Sequence, residues 1–305
     1  MIKTPLSTVL GGAGIWTPGC TVIGGQKTLD QLIKPLFSNG EQGFFYDPND
    51  LSTMFQDAVG TVPVTDVGQA VGLLLDKSKG SVMGSNIVTD GGFNDPTKWL
   101  PVGSGWSISK GNAVANNAPL STKLAQVAPN IVIKPNTHYE VTYSCTDWTS
   151  GQFGILIGGA GVNIIRSGTG TFTERVLSGN LNGELWLRAN TTLTAKFDNI
   201  TVKEIYGNHA YQTTSAARPV LRDAPHRIDF DAVDDKLITN LQAQLTGCTV
   251  VRSVPNVGTQ ILTGQTIPAT YEDNKDHCGL IVINRALTAT ETSQITKLFN
   301  KAAWV

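Results

Sequence analysis

The sequence predicts a mainly β protein, built of antiparallel β-sandwich structure and closed by one C-terminal helix. Through the middle of the chain apolar and polar residues alternate: Tyr139, Val141, Tyr143 and Cys145 fall between Glu140, Thr142 and Ser144. That period of two is the mark of a half-buried strand. Glycine is abundant, at 32 of 305 residues, and charged residues make up only 15%, against roughly 25% in typical soluble domains. Sustained helical spacing is confined to the C-terminus, where Ile295, Leu298, Phe299 and Ala302 form one stripe after a Thr288–Glu291 capping box.

Taken in order, residues 1–35 read as an N-terminal extended arm with one short helical piece. Its apolar stretch is broken by glycines, and Thr17-Pro18-Gly19 is a poor approach to a lipidated Cys20. An arm that cannot bury itself suits a neighbouring subunit, so a homo-oligomer is expected. Leu29, Leu32 and Ile33 take helical spacing after Thr28. Asp50 to Phe55 reads as a helical turn with Leu51, Met54 and Phe55 on one side, and Val71 to Leu75 as a short buried strand. Farther on, Phe153, Ile155 and Ile157 alternate, as do Leu185 and Leu187 with Trp186 on the opposite face. Turns are expected at Ser150-Gly151, Gly158-Gly159, Ser167-Gly168 and Asn182-Gly183, the Asn-Gly pair being the strongest hairpin signal.

Charge and motif content narrow the function classes. Lys and Arg number 23 against 24 Asp and Glu, so no basic surplus points to nucleic acid. No apolar run approaches the ~18 residues of a membrane helix. Cys20, Cys145, Cys248 and Cys278 lack the spacing of a zinc site or redox pair, and Cys248 and Cys278 read as thiols rather than as a disulfide. Nucleophile-elbow, zinc-protease and phosphate-loop signatures are missing, and Gly12-Ala13-Gly14 and Gly159-Ala160-Gly161 read as turns. The histidines His138, His209, His226 and His277 stand singly, with His209 a packing residue at a domain junction. A non-enzyme is expected.

Two constellations carry possible chemistry. Alternation puts Asp229 and Asp231 on one face and Phe230 on the other, a pair able to hold Ca²⁺ or act as acid and base. The calcium-loop pattern fails there, so a solvated strand followed by an Asx turn is favoured. Sugar binding needs a flat apolar platform for a pyranose C–H face, with amide or guanidinium groups around it. Trp99 and Trp106 read as core. Trp148, in a polar stretch, and Trp186, beside Arg188, are the carbohydrate-binding candidates.

Gly40-Glu41-Gln42-Gly43, Tyr46-Asp47-Pro48-Asn49-Asp50-Leu51-Ser52-Thr53, Phe55-Gln56-Asp57 and Val71-Gly72 to Asp76 follow one another in a fixed order. That order resembles a block that recurs in bacteriophage and prophage structural proteins. There the Asp-x-Ser piece runs straight into Gly-Asn-His-Ala-x-Gln and Ala-Arg-Pro. Here the continuation waits until Gly207-Asn208-His209-Ala210-Tyr211-Gln212 and Ala217-Arg218-Pro219. The interruption implies that a module was opened near Ser78–Gly80 and a second one inserted, as loop tips permit.

The intervening segment, 81–206, resembles the galactose-binding-like jelly rolls of carbohydrate-binding modules. The likeness rests on Asp90-Gly91-Gly92-Phe93, Trp99, Gly105-Trp106, Tyr139 to Tyr143 and Phe197 to Glu204. It implies a structural calcium held by Asp90 and Asp198. The flanks, 36–80 and 207–305, resemble concanavalin-like lectin domains through Phe230-Asp231-Ala232-Val233-Asp234-Asp235 and Gly279 to Thr288. They imply a reduced, discontinuous base lobe.

Together these resemblances imply a virion structural protein of tail fibre, baseplate or tail tip, assembled in the host cytoplasm without membrane insertion. It would dock on other virion proteins through arm and base lobe and adhere to host-surface glycans. A ligand-free head decoration protein and a polysaccharide depolymerase are the alternatives.

Overall fold

The alternating segments pair into two facing antiparallel sheets. The structure, a computed structural model, describes residues 28–80, 83–159 and 164–305. The expectations for most of the arm, for Cys20 and for Gly12-Ala13-Gly14 fall outside the described residues, as do Ala160 and Gly161 of the second glycine turn. One sheet orders Gly170–Leu177, His138–Ser150, Leu193–Ile205, Asn112–Ala118 and Trp106–Ser109, with Met83–Asn86 also on Leu193–Ile205. The other orders Ile164–Arg166, Phe153–Ile157, Leu185–Ala189, Lys123–Gln126 and Leu100–Val102. The chain is thus mainly β.

The inward residues of both sheets make one core. Phe153 lies edge-on to Phe197 at 4.8 Å between centroids, and Tyr143 and Phe172 pack alongside. Trp99 and Trp106 are buried in the same core, as their positions predicted. Each such ring contributes roughly 1.5–3 kcal/mol by leaving water.

The expected turns exist, with a different use. Ser150-Gly151, Ser167-Gly168 and Asn182-Gly183 each carry the chain from one sheet to the other, so Asn182-Gly183 is not a hairpin turn. Local turn chemistry sets a reversal, but which sheet receives the next strand is set by the core. Gly151 is required where it stands, at φ 91°, because a Cβ there would lie 2.2 Å from the Thr192 carbonyl oxygen.

A second β lobe draws on both ends of the described chain. Gly43–Tyr46 pairs with Gly279–Ile283, which pairs with Leu245–Val254 and then Gly258–Ile267. Facing this sheet, Met54–Phe55, Leu73–Leu74, Ala210–Tyr211, Leu237–Asn240 and Thr270–Asp273 lie side by side. Between them Phe44, Tyr46, Met54 and Leu74 share a core with Leu221, Leu237, Val250 and Leu280.

On the far side of the first sheet, helix Ala289–Ala302 packs Ile295 and Phe299 against Ile281 and Ile283, joined by Leu32 and Ile33 of helix Leu29–Ile33. Both helices begin with capping boxes, at Thr28–Gln31 and Thr288–Glu291. The helical turn expected over 50–55 stops at Thr53. Met54 and Phe55 are extended, on opposite faces, because they pair with Leu74 and Leu73. Cys145, Cys248 and Cys278 are buried free thiols.

Polar groups knit the sandwich to this lobe. The Asp76 carboxylate accepts backbone N–H bonds from Phe45, Ser78 and Asn208 at 2.8–2.9 Å. Burial nonetheless pushes its pKa up to about 6. The Asp76 N–H donates to His209 Nδ1 at 2.9 Å, so the ring proton sits on Nε2, which donates to the Ile205 carbonyl at 3.1 Å. His138, 5.2 Å away between ring centroids, contacts the Ala58 carbonyl through Nε2 at 3.1 Å. Burial drives His138 down to about 4 and His209 to about 3, so both are neutral at pH 7. His209 therefore packs at a junction, as expected, and His138 joins it there.

Candidate functional site

The sandwich sheet that runs from Ile164–Arg166 to Leu100–Val102 turns one face to the core and one outward. Cross-strand partners share a face, so register dictates what the outer face carries. One row runs Leu100, Ala125, Trp186, Leu156, and the next runs Val102, Lys123, Arg188, Gly154, Ile165. Leu185 and Leu187, one residue either side of Trp186, are fully buried in the core. Leu100 and Ile165, toward the edges of these rows, are 51% and 50% exposed. Ala125 and Leu156 face outward yet are buried, and Trp186 stands between them.

The indole is held on both its edge and its face. Its Nε1 donates to Glu184 Oε2 at 2.5 Å, and Lys123 Nζ sits 3.1 Å from the ring centroid. Partial burial holds the Lys123 pKa below its ordinary value, with Glu184 pulling the other way. Arg188, two residues along the strand from Trp186, donates through Nη2 to Ser121 Oγ at 2.9 Å. The arrangement is a half-buried aromatic platform with one cation over its face and a carboxylate on its edge. A sugar ring stacking here would displace Lys123, at a cost of about 0.5–2 kcal/mol for a half-buried cation–π contact. The displaced ammonium then becomes a donor to hydroxyls.

The other candidates fall elsewhere. Trp148 lies on the opposite sheet, donates Nε1 to the Gly151 carbonyl at 2.9 Å and packs partly against the core. It is not part of the Trp186 platform. Asp90 and Asp198 flank the Gly91–Ile200 contact, where a Cβ on Gly91 would meet the Ile200 carbonyl oxygen at 2.0 Å. Asp90 accepts the N–H groups of Asn94 and Asp95, and Asp198 accepts the amide and side chain of Asn199. Each oxygen keeps a second lone pair, which is what a shared calcium would use.

The acidic run divides. Asp229 is ion-paired to Arg222 and Arg227, whereas Asp231 caps an Asx turn by accepting from Val233, Asp234 and Asp235. Ala232 in that turn takes φ 61°, in the left-handed region that favours glycine. The carboxylates gathered within 4.8 Å are Asp231, Asp234 and Asp235, while Phe230 between Asp229 and Asp231 is buried.

Glu184 and Lys123 were missed by sequence reasoning. Glu184 carried a signal, being two residues from Trp186 and hence on its face. Lys123 carried none, because only strand pairing brings it there. The chain matches no protein-family profile and no curated protein. Among solved structures, the N-terminal CBM22-1–CBM22-2 tandem domain of Paenibacillus barcinonensis Xyn10C is similar over 63% of this chain and 93% of that one. Identity is 10% and the TM-score 0.21, a level at which the likeness carries no argument.

Proposed function

We propose that this chain is a non-catalytic attachment protein of a bacteriophage particle, in which the sandwich (81–206) is displayed from a discontinuous base lobe (36–80 and 207–305). The sandwich holds glycans of the host surface against its outer sheet face. The observation that carries the glycan reading is Trp186, an aromatic side chain directed away from the core, with Lys123 over its face and Glu184 bonded to its edge. The phage assignment is supported by the interrupted sequence block, whose two halves meet at Asp76, Asn208 and His209. Single contacts of this kind are weak, and many copies on one particle would convert them into useful avidity.

Glycan-array binding by the full chain, without release of shorter products, is the expected result, and Trp186→Ala is expected to lower the signal at least about tenfold. Hydrolysis abolished by Asp229→Asn would instead establish a depolymerase. Unchanged host adsorption by particles carrying Trp148→Ala and Trp186→Ala would overturn the outer-face reading and favour a ligand-free decoration protein. Mass spectrometry of purified particles tests the virion assignment separately. A calcium at Asp90 and Asp198 belongs to the same proposal, as a staple that raises Tm without altering glycan selectivity.

A further inference from the structure

A second hollow lies between the two lobes, away from the Trp186 face. Two overlapping cavities of about 410 and 490 Å³ share Lys134, Glu204, Gly207, Asn208, Leu241 and Gln242 and form one groove. One wall comes from the sandwich, the opposite wall from the end of strand Leu237–Asn240, and the link at Gly207-Asn208 is its floor. Inter-lobe clefts are where ligand pockets concentrate.

The lining is polar, prearranged and nearly neutral. Asn208 is held by three bonds: its N–H on Asp76, its Nδ2 donating to the Gly43 carbonyl at 2.7 Å, and its own carbonyl accepting from Tyr46 Oη at 2.6 Å. Its Oδ1 is left as a fixed acceptor. Asn136 and Gln242 are exposed, and their side chains have no hydrogen-bond partner among the described residues. Lys134 binds both oxygens of Glu204, at 3.0 and 2.8 Å, so these charges cancel.

Tyr206, 40% exposed, supplies an aromatic ring. Gly84 abuts that ring so closely that a Cβ there would lie 3.2 Å from it. Amides that donate and accept, beside one aromatic face and without surplus charge, match the hydroxyls and C–H faces of a neutral sugar. A polyanion would meet Glu204 and, in Lys79, a single cation without a carboxylate partner among the described residues.

We propose that this groove is a second, independent binding site, taking a segment of neutral oligosaccharide with Tyr206 as platform and Asn136, Asn208 and Gln242 as hydroxyl partners. It stands or falls separately from the Trp186 face.

The test titrates the full chain calorimetrically with neutral hexasaccharides of xylan, β-glucan and mannan. It compares wild type, Trp186→Ala, Tyr206→Ala/Gln242→Ala and the triple variant. Binding that survives Trp186→Ala and falls about tenfold further in the triple variant is expected, one lost stacking contact being worth roughly that factor. Loss in the groove variant alone supports the groove and overturns the outer-face reading. Loss in Trp186→Ala alone, with the groove variant unchanged, overturns the groove. No binding by wild type at millimolar concentration overturns both. Should a variant fold poorly, deuterium uptake of wild type decides: segments 134–138 and 206–209 are expected to gain protection at saturation, and unchanged uptake there overturns the proposal.

Discussion

The two lobes are held together by different physics. The sandwich interior is an aromatic and aliphatic core, with Phe153, Phe197, Tyr143 and Trp106 at its centre and Glu174 and Gln126 among the few buried polar side chains. The second lobe is cross-linked by buried charge. Lys77 Nζ lies 2.8–2.9 Å from carboxylates of Asp30, Asp47 and Asp50 at once. Arg252 and His277 converge on Asp273, whose carboxyl they hold below its ordinary pKa although burial raises it. Such networks tie together segments distant in sequence through directional contacts, whereas an apolar core does so through close packing. The second lobe thus adds buried ion pairs to the apolar clusters that already join its two segments, whereas the sandwich relies chiefly on burial.

Lys77→Met is expected to have the largest effect on that contrast. It leaves three carboxylates facing one another, and loss of about 3–5 kcal/mol in urea unfolding is expected, with the sandwich core unaffected by deuterium exchange. Uniform loss of protection in both lobes would show that they unfold as one. Phe153→Ala makes the converse change, a cavity in the sandwich, with an expected cost of about 3–5 kcal/mol and exchange rising within 100–200.

Acid is expected to act at the junction. His138 and His209 have folded pKa values of about 4 and 3, below the 6.5 of the unfolded chain. Between pH 6.5 and 4 the unfolded state therefore binds more of their protons, and the stability present above pH 6.5 is lost as pH falls. Asp76 works the other way. Its folded value of about 6 exceeds 3.8, so its contribution is present at low pH and lost as pH rises through 6. Two histidines against one carboxyl leave a net loss on acidification. Thermal melts from pH 7.5 to 4.5 check this, and His138→Gln, which keeps a donor for the Ala58 carbonyl, is expected to flatten the profile. The smallest expected effect on stability is that of Trp186→Ala, within about 1 kcal/mol, even as glycan binding falls. A larger loss would make Trp186 a structural rather than a binding residue.

How much was legible follows the same division. Strands such as His138–Ser150 and Leu185–Ala189 declared themselves through period-two alternation, and helix Ala289–Ala302 through its cap and apolar stripe. Met54 and Phe55 did not, because their helical spacing was overridden by pairing with Leu74 and Leu73. Trp186 could be assigned to the outer face from Leu185 and Leu187 alone. Its cover by Lys123 could not, since cross-strand register is a tertiary property. The charge clusters were equally silent. Nothing near Lys77 in sequence points to Asp30 or Asp47, and His138 gave no sign of the junction it shares with His209.

The central functional claim is tested most directly by a crystal structure of the full chain with the neutral oligosaccharide that binds it best. The expected complex has a sugar ring lying on the Trp186 indole, with the Lys123 ammonium moved off the ring onto a hydroxyl. A saturated complex in which the Trp186 face is bare, with Lys123 still seated on the indole, would contradict that claim.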